Sequence, residues 1–470
     1  MNVTMTLQDY LSISPLIVLL FGGLILILLE SFSETHSRKW AFPLTVLIIL
    51  LAFGAHIASP PVTHTLLTPF LITDPFSHFF TAFFLIVGLL SVLIAHSFFQ
   101  DKNETLGEFH FLITASLAGL ILIASAQDFI TLFIGLEILS ISLYILVAYM
   151  KSWNLAHEAA IKYFLLGSLS TSLFLFGVAL IYGATGTTQF EGLLNRFLGL
   201  ETPEAYLFFA GASLVTVGLF FKAAVLPFHL WAPDVYEGAS SPVTAFLAVA
   251  SKAGGFAGLA RVFLLTLPGF DIKWNAAVEM LAIATIIFAN VLAIRQKTFR
   301  RFFAYSGISH SGFLLIALAA GGPGSLFALL FYLTVYAIAT LGAFAVLISL
   351  DAGSNDTRLE NFQGLFSSRP YLALVLSLCL LTLAGFPPFV GFFAKFALFT
   401  VAYQAGLIAA IVVGLLSLVF SAYYYFRIIA LMFKGTVSPF KIRQGAFSAL
   451  CVTGVSFIVL IYLTLFPQSI

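Results

Sequence analysis

The sequence predicts an all-α protein that crosses a membrane many times. Of its 470 residues, 61% are hydrophobic and only 9% are charged, whereas soluble domains average about 25% charged residues. Runs of about 18 or more apolar residues are long enough to cross a bilayer as a helix, and such runs recur from one end of the chain to the other. A soluble fold could not bury this much apolar surface, so we expect no soluble domain.

The apolar runs divide into 14 predicted transmembrane helices. The least distinct boundaries lie between the fourth and fifth runs, and around Gly-Gly-Pro-Gly (321–324) between the tenth and eleventh. The first run has no basic segment before it and no clear cleavage site, so we expect a retained helix rather than a signal peptide. The predicted spans are 12–31, 40–59, 75–98, 109–126, 129–149, 159–183, 204–226, 242–267, 274–295, 303–320, 324–350, 370–402, 406–433 and 446–466.

Composition excludes several kinds of site. The chain has two cysteines, Cys379 and Cys451, both inside apolar runs. An iron–sulfur cluster or a cysteine-based zinc site needs about four thiolates, and a disulfide framework needs several pairs. The net charge of +1 gives no electrostatic footprint for nucleic acid. We therefore expect this chain to hold neither a cofactor nor a metal, and to bind no nucleic acid.

Loop charges predict the orientation, because loops rich in Lys and Arg stay on the cytoplasmic side. Loops after even-numbered spans contain only Arg196 and Lys273. Both termini should therefore lie on the outer, periplasmic side. The loops after odd-numbered spans contain Arg38, Lys39, Lys102, Lys151, Arg295, Lys297, Arg300, Arg301, Arg358, Arg369, Lys434, Lys441 and Arg443.

Spans seven and twelve are predicted to be discontinuous. LFFKAAVLPFHLW (219–231) and AGFPPFVGFFAKF (384–396) each combine proline with a nearby lysine, Lys222 or Lys395. Five spans separate the two breaks, so a five-helix repeat would have inverted topology. Broken helices at matching positions of inverted repeats indicate a transport pathway. The alternative is that Pro and Gly are simply common in membrane helices.

Four ionisable residues lie deep in predicted spans. Lys252 in LAVASKAGGF and Glu137 in FIGLEILSIS are near the middle of spans eight and five, and Lys222 and Lys395 accompany the breaks. A charge at this depth costs roughly 2.5–3.5 kcal/mol on insertion scales. Desolvation lowers a lysine's pKa and a neighbouring carboxylate raises it, so moving one relative to the other could load or release a proton. The alternative is a lysine that packs helices and has a satisfied partner.

Other charged or polar residues in the spans are more ambiguous. His310 in YSGISHSGF suits a proton relay, but it could also be a hydrogen-bonded core histidine. Lys162 lies about one turn from a span end, where a lysine can extend its head group to the membrane surface. Arg261 and Arg427 lie towards span ends, where anchoring is favoured, and His229 at the break has no preferred interpretation.

The loop HLWAPDVYEGASS after the seventh span carries Asp234 and Glu237 but no Lys or Arg. Its predicted side is cytoplasmic, where the other loops are basic. It could be a proton entrance or a subunit contact. A local turn or capping role is an equal alternative.

Three long stretches closely resemble the subunit N family of NADH-quinone oxidoreductases, the antiporter-like membrane subunits of respiratory complex I. They are KYFLLGSLSTSLFLFGVALIYG (162–183), FKAAVLPFHLWAPDVYEGASSPVTAFLAVASKAG (221–254) and GFPPFVGFFAKF (385–396). The wider family includes complex I subunits L and M and the multisubunit cation/proton antiporters. The SKAG motif (251–254), and Lys395 where subunit M has a glutamate, favour subunit N.

The resemblance implies a 14-helix fold with two inverted five-helix repeats, at 109–267 and 274–433. An N-terminal three-helix segment, 1–108, would precede the repeats, and a C-terminal helix within 434–470 would follow them.

The resemblance also implies roles for the buried residues. Glu137 and Lys222 would form an ion pair that acts as the switch, and Lys162 would modulate Lys222. A central hydrophilic axis would end at Lys395 as the terminal proton carrier. The axis would comprise Lys222, Lys252, His310 and Lys395.

The expected function is proton translocation as a membrane subunit of a type I NADH:quinone oxidoreductase in the bacterial inner membrane. FMN and iron–sulfur clusters would lie on partner subunits, so this chain alone would perform no redox chemistry. Expected neighbours are antiporter-like subunits M and L, the small subunits K, J and A, and lipids. The alternatives are a cation/proton antiporter subunit without redox partners, and a structural spacer that no longer pumps.

Overall fold

A computed structural model describes residues 6–32, 34–59, 66–100, 106–267, 272–322, 324–351, 357–435, 441–443 and 445–467. These residues form eighteen α-helices, with a π-helical segment at Ala260–Thr266, a 3-10 turn at Leu359–Phe362, and two paired two-residue strands, β1 (Leu350–Asp351) and β2 (Lys441–Ile442). The helices are α1 Leu7–Phe32, α2 Glu34–Ala58, α3 Pro75–Phe99, α4 Gly107–Ser125, α5 Phe129–Val147, α6 Asn154–Thr185, α7 Leu193–Leu198, α8 Thr202–Ala223, α9 Trp231–Gly238, α10 Ser241–Leu259, α11 Ile272–Ile294, α12 Phe299–Ala320, α13 Ser325–Ser349, α14 Leu365–Ser368, α15 Pro370–Ala384, α16 Val390–Gln404, α17 Ile408–Phe433 and α18 Phe447–Leu465.

The predicted all-α membrane architecture is confirmed. Within the described ranges, 13 helices are long and apolar enough to cross a membrane. Two shorter apolar helices, α15 and α16, occupy the predicted twelfth span on either side of its break. The seventh span is interrupted near its end, where α8 stops at Ala223 and the chain turns before the eight-residue α9. The count of 14 spans and the inverted repeats remain predictions.

The two least distinct boundaries of the sequence are real helix ends. Asp128 precedes α5, and its carboxylate accepts hydrogen bonds from the backbone N–H groups of Ile130 (2.6 Å) and Thr131 (2.8 Å). This is the usual way in which a helix N-terminus satisfies its free donors. At the other boundary, Gly321 ends α12 with φ +60°, a left-handed conformation that glycine adopts without strain.

The chain divides into two compact units. Unit 1 comprises Met1–Val92, Asn103–Lys222 and Ala253–Pro268, and unit 2 comprises Leu93–Lys102, Ala223–Lys252 and Gly269–Ile470.

The orientation of the chain in the membrane remains a prediction. Among the loop cations on which it rests, Lys102 lies outside the described residues, as do the side chains of Arg38, Lys273 and Lys441.

Close glycine contacts hold helix pairs together in unit 1. A Cβ on Gly119 of α4 would meet the carbonyl oxygen of Gly135 of α5 at 2.8 Å, and the reciprocal distance is 2.9 Å. Gly177 of α6 and Gly211 of α8 make the same reciprocal contact, at 2.6 and 2.7 Å. Small residues allow membrane helices to approach closely, where van der Waals packing replaces the hydrophobic effect. Both pairs therefore fix the positions of the helices around Lys222.

Arg261 anchors the chain after α10 in unit 1, through a largely buried ion pair rather than by reaching the surface. Its guanidinium donates to both carboxylate oxygens of Asp74, at 2.5 and 3.0 Å, and its Nε donates to the Ala124 carbonyl at 3.0 Å. The Phe76 ring lies 4.5 Å from its central carbon. Arg261 belongs to the π-helical segment, and its side chain reaches Asp74 just before α3 and Ala124 near the end of α4.

In unit 2, the acidic residues after the seventh span hold α9 against the start of α12. Asp234 forms an ion pair with Arg301 at 3.4 Å. Thr298 donates its hydroxyl hydrogen to Glu237 at 2.7 Å. These contacts join two helices and are not the local turn or cap that the sequence offered as an alternative; the roles as a proton entrance or subunit contact remain predictions.

The Asp74–Arg261 pair should contribute to stability, and its contribution should depend on pH. Burial acts to raise the pKa of the Asp74 carboxyl, but hydrogen bonds and charge from Arg261 outweigh burial and hold this pKa below its usual value of 3.8. A group with a depressed pKa contributes stability above its unfolded-state pKa and loses it as pH falls through the folded-state value. Asp74→Asn should therefore lower the free energy of unfolding at pH 7 by about 2 kcal/mol, with the difference from wild type beginning to shrink only as pH falls below about 4.

Thermal unfolding of the purified protein in detergent, at several pH values, measures this difference. Asp234→Asn is the matched control, because both side chains of its ion pair are more than a third exposed and such pairs contribute at most about 1 kcal/mol. Equal losses at pH 7 for the two variants would contradict the assignment of Asp74.

Candidate functional site

Lys222 is enclosed by aromatic rings in unit 1. It lies in the last turn of α8 and is 1% exposed. Its ammonium nitrogen is 5.3 Å from the ring centres of both Tyr144 and Tyr163, and 5.6 Å from that of Phe221. A cation over an aromatic face gains about 2 kcal/mol when both are desolvated. The carbonyl end of α8 adds a favourable dipole for a positive charge.

Glu137 of α5 lies beside this aromatic cage, which is formed by Tyr144, Tyr163 and Phe221. It is near enough to interact electrostatically with both Lys222 and Tyr144, and the expected ion pair with Lys222 remains a prediction. Its Oε1 atom is buried and has no hydrogen-bond partner among the described residues. The same face of α5 also presents exposed Ile134 and Ile141. Glu137 therefore lies between the cage and an outward-facing helix surface.

Lys162 points away from the cage. Its side chain is 45% exposed, and its ammonium lies 2.8 Å from Glu158, one turn earlier on α6. The next residue, Tyr163, is the one that faces Lys222. Any influence of Lys162 on Lys222 would therefore pass through α6 and Tyr163.

Lys252 has hydrogen-bond partners in unit 2. Its ammonium donates to the Gly307 carbonyl at 2.9 Å and to the Ser311 hydroxyl at 2.7 Å. Ser311 in turn donates to the Ala223 carbonyl at 2.5 Å. The Tyr336 ring centre lies 5.8 Å from the ammonium. A single hydroxyl thus connects a buried cation to the carbonyl at the broken end of α8.

The break after α8 is stabilised by neighbouring helices of unit 2. Ala224 adopts φ +54°, a left-handed conformation that is uncommon for a residue other than glycine. The Leu226 N–H donates to the Thr285 hydroxyl at 3.2 Å. His229 is 3% exposed, and its ring packs against Phe288 with centres 4.9 Å apart. The backbone groups released by the break therefore find partners on α11 and α12.

Lys395 lies at the second break. It is 3% exposed and donates to the Ala384 carbonyl, the last of α15, at 2.8 Å. Its ammonium is 4.7 Å from the centre of the Phe313 ring. Gly385 has φ +75°, and a Cβ at that position would meet the lysine side chain at 2.6 Å. Only glycine therefore suits both the turn and the lysine.

His310 is buried between two tyrosines. Its Nδ1 lies 2.7 Å from the Tyr332 hydroxyl, and its Nε2 lies 3.2 Å from the Tyr425 hydroxyl. The Tyr336 ring packs against the imidazole with centres 5.0 Å apart. Lys252 and Lys395 are both near enough to interact electrostatically with the imidazole. The structure thus brings three of the predicted residues into one cluster of unit 2.

A small cavity connects His310 and Lys395. It is also lined by Tyr332, Tyr336 and Thr382, and its water-accessible volume is about 10 Å³. The Thr382 hydroxyl is buried without a hydrogen-bond partner among the described residues. About this volume suffices for one water molecule when several polar groups surround it. The cavity could therefore hold a water between the histidine and the lysine.

No cluster of three or more His, Cys, Asp or Glu side chains that could hold a metal occurs in the part of the chain that the structure describes. The chemistry that these groups support is acid–base. Unit 1 holds a buried lysine near a carboxylate, and unit 2 holds two buried lysines and a histidine that is hydrogen-bonded to tyrosine hydroxyls.

Comparison with known proteins identifies the family. Residues 126–421 match the family model described as "NADH:quinone oxidoreductase/Mrp antiporter, TM". A protein named NADH-quinone oxidoreductase subunit N from Protochlamydia amoebophila is 48% identical over 99% of this chain and 98% of its own length. The chain belongs to the NADH-quinone oxidoreductase subunit N family. The predicted resemblance is thereby confirmed.

Solved structures agree with this membership. One chain of respiratory complex I from Thermus thermophilus is 32% identical, with a TM-score of 0.83 over 97% of this chain and 98% of that chain. A chain of the Mrp complex from Dietzia sp. has a TM-score of 0.84 at 22% identity and covers 99% of this chain and 95% of that one. At this lower identity the second likeness shows the fold alone.

Several residues that line the site in this subunit N family member were not predicted from the sequence. Tyr144 and Tyr163 form the cage, while Tyr332 and Tyr425 flank His310. Tyrosine is common at membrane interfaces, so its presence in apolar runs does not by itself indicate a functional site. A usable signal was present around His310, where Ser306, Ser309 and Ser311 make an apolar helix locally polar.

Gly167→Ala should disturb the lysine cage. A Cβ at this position of α6 would collide with the Tyr144 hydroxyl. Overpacking of this kind costs about 1–3 kcal/mol, so we expect a lower melting temperature. Gly183→Ala on the same helix is the matched control, because its new Cβ would meet its nearest atom, on Leu207, at an ordinary 3.5 Å. A drop of equal size in both variants would show that Tyr144 is not the cause.

Ser311→Ala should destabilise the connection between Lys252 and the broken end of α8. The variant leaves the Ala223 carbonyl and one Lys252 N–H without the partner they have now, which costs about 1–3 kcal/mol for buried groups. Ser377→Ala serves as the control, since the Ser377 hydroxyl donates to the Ala373 carbonyl of its own helix. Thermal unfolding in detergent measures both. Identical melting temperatures for Ser311→Ala and wild type would contradict the assignment.

Proposed function

We propose that this chain translocates protons as a membrane subunit of an NADH:quinone oxidoreductase. The observation that carries the proposal is the burial of Lys222, Lys252 and Lys395, each at most 3% exposed, beside interrupted helices in a chain of the subunit N family. Burying a charge in this way is costly, and groups that titrate under such conditions are suited to proton transfer.

In unit 1, Lys222 and Glu137 form the proposed switch. The lysine sits in a cage of neutral rings, so the nearby carboxylate strongly affects whether it keeps its proton. A change in the position of α5 relative to α8 would load or release that proton. Lys162 modulates the switch through its neighbour Tyr163.

In unit 2, Lys252, His310 and Lys395 pass protons on, with Lys395 as the terminal carrier. The hydrogen bonds of Lys252 to neutral acceptors, the cavity between His310 and Lys395, and the Thr382 hydroxyl in that cavity support this assignment. Neutral partners stabilise the ammonium less than a carboxylate would, so the proton can be given up at lower cost.

The two broken helices occupy equivalent places in two inverted five-helix repeats, at 109–267 and 274–433, flanked by the segments 1–108 and 434–470. The two breaks share one construction that supports this organisation: at each, a carbonyl at a helix end accepts a hydrogen bond from a neighbouring side chain. Both termini lie on the periplasmic side of a bacterial inner membrane, because thirteen loop cations lie on one predicted side and two on the other.

Redox chemistry belongs to partner subunits. FMN, iron–sulfur clusters and the quinone site lie outside this chain, which converts a signal from its neighbours into proton movement. The neighbours are antiporter-like subunits M and L, small subunits K, J and A, and lipids. The named relatives of this chain, rather than its likeness to the Mrp complex, favour this function over a cation/proton antiporter without redox partners.

Lys222→Ala should cut proton pumping severely and leave assembly largely intact. The intact complex, purified through an affinity tag on this chain and reconstituted into vesicles, allows NADH:quinone activity and proton uptake to be measured together. Loss of the lysine removes the proton-binding group of the switch, so pumping per electron should fall several-fold. Lys222→Arg should be only partly tolerated, because arginine keeps its proton at physiological pH.

Lys162→Ala provides the comparison, since its half-exposed side chain should influence pumping less than Lys222 does. Normal pumping by an assembled Lys222→Ala complex would overturn the proposed switch. Purification of this chain without any redox-active partner, together with sodium-dependent proton exchange, would favour the antiporter function instead.

A further inference from the structure

One of the two side-chain hydrogen bonds of His310 leads to a group outside the cavity that it shares with Lys395. A line of proton carriers between Lys252 and Lys395 does not require that group. Lys395 reaches the histidine across the cavity that Tyr332 also lines. The other imidazole nitrogen, Nε2, lies 3.2 Å from the Tyr425 hydroxyl of α17, which does not line that cavity.

The Tyr425 hydroxyl also forms a hydrogen bond with a second side chain. It lies 2.5 Å from the Ser306 hydroxyl, one turn before His310 on α12. Ser306, Tyr425, His310 and Tyr332 therefore form an unbroken hydrogen-bonded chain, with successive distances of 2.5, 3.2 and 2.7 Å. All four side chains are at most 5% exposed.

Every member of this chain can both donate and accept a hydrogen bond. Serine and tyrosine hydroxyls carry one donor and free lone pairs, and a neutral imidazole has one donor and one acceptor nitrogen. Such a chain can point in either direction, and the tautomer of His310 decides which. A fixed structural hydrogen bond would not need this reversibility at every position.

We infer that Tyr425 is a proton-relay residue that gives His310 a second, lateral proton route through Ser306. This inference rests on the proposed function. Ser306 is four residues nearer than His310 to the start of α12, the end that the loop charges place on the cytoplasmic side. The lateral route therefore leads from His310 towards the side from which protons are taken up.

The transfer balances without any redox step. At the start, Ser306 donates to Tyr425, Tyr425 donates to Nε2, and Nδ1–H donates to Tyr332. A proton arriving from water at the Ser306 oxygen displaces the serine hydrogen to Tyr425, whose own hydrogen moves to Nε2. Nδ1 then releases its hydrogen to Tyr332, which passes one proton to water or to a neutral lysine amine. One proton enters, one leaves, and the ring ends protonated on Nε2.

The neighbouring Tyr424 provides an internal comparison. It is also buried, at 3% exposed, but its hydroxyl donates to the Asn290 side chain at 3.0 Å. Asn290 in turn donates to Ser309 at 2.9 Å and to the Ile286 carbonyl at 2.7 Å. This second group of hydrogen bonds contains no side chain that titrates near neutral pH. Tyr424 is therefore buried like Tyr425 but is not part of the proposed relay.

The test compares Tyr425→Phe with Tyr424→Phe in the intact, vesicle-reconstituted complex. Each variant removes one buried hydroxyl and keeps the ring. We expect Tyr425→Phe to lose protons pumped per electron, and Tyr424→Phe to keep the wild-type ratio. Ser306→Ala should reproduce the loss, Ser306→Thr should restore the hydroxyl and the ratio, and the double variant Tyr425→Phe/Ser306→Ala should be no worse than either single variant.

A wild-type ratio in assembled Tyr425→Phe complex would overturn the inference, as would equal losses in Tyr425→Phe and Tyr424→Phe. If Tyr425→Phe does not assemble, the protons pumped per electron by Ser306→Ala and by Ser306→Thr provide the test instead. A wild-type ratio in Ser306→Ala would then overturn the inference. Failure of the proposed function is distinguishable, because Lys222→Ala and Lys395→Ala would then also pump normally. Loss of pumping in those lysine variants with normal Tyr425→Phe would reject the lateral route alone.

Discussion

The structure depends on how carbonyl groups at interrupted helices are satisfied inside a membrane. Water is scarce there, and an unsatisfied backbone group costs several kcal/mol. At the second break, the last carbonyl of α15 accepts a hydrogen bond from Lys395. At the first, the Ala223 carbonyl accepts from Ser311, which also holds Lys252. Each break thus lowers the free-energy cost of burying a cation. In return, the hydrogen bonds of the cation or of its partner stabilise the break.

This reciprocity explains why the lysines can serve in acid–base chemistry. Their identified surroundings are carbonyls, a hydroxyl and aromatic faces. These groups stabilise an ammonium through dipoles and ring electrons, and more weakly than a full opposite charge does. Glu137 adds such a charge beside Lys222. Small movements of one carboxylate can therefore have a large effect on proton affinity, which is what a conformationally driven pump requires.

The two units use different devices around their ionisable groups. Unit 1 surrounds one lysine with rings and places a carboxylate beside it, while an Asp74–Arg261 pair and glycine contacts hold the helices in position. In unit 2, Lys252 donates to a serine hydroxyl, and His310 is hydrogen-bonded to two tyrosine hydroxyls. A switch needs a charge that can be moved, whereas a relay needs reversible donors and acceptors. The division of residue types between the units supports the proposed switch in unit 1 and the proposed relay in unit 2.

The sequence by itself determined the membrane class, the helices, the two breaks and the buried ionisable residues, because burial of charge and loss of helix hydrogen bonds are costly wherever they occur. Tertiary structure decided the partners. Arg261 pairs with a residue 187 positions away, Lys162 turns outward although Tyr163 turns inward, and tyrosines from distant helices surround Lys222 and His310. Helices that are apolar on all sides carry no periodic signal of which face packs inward, so only the packed fold assigns each side chain its neighbours.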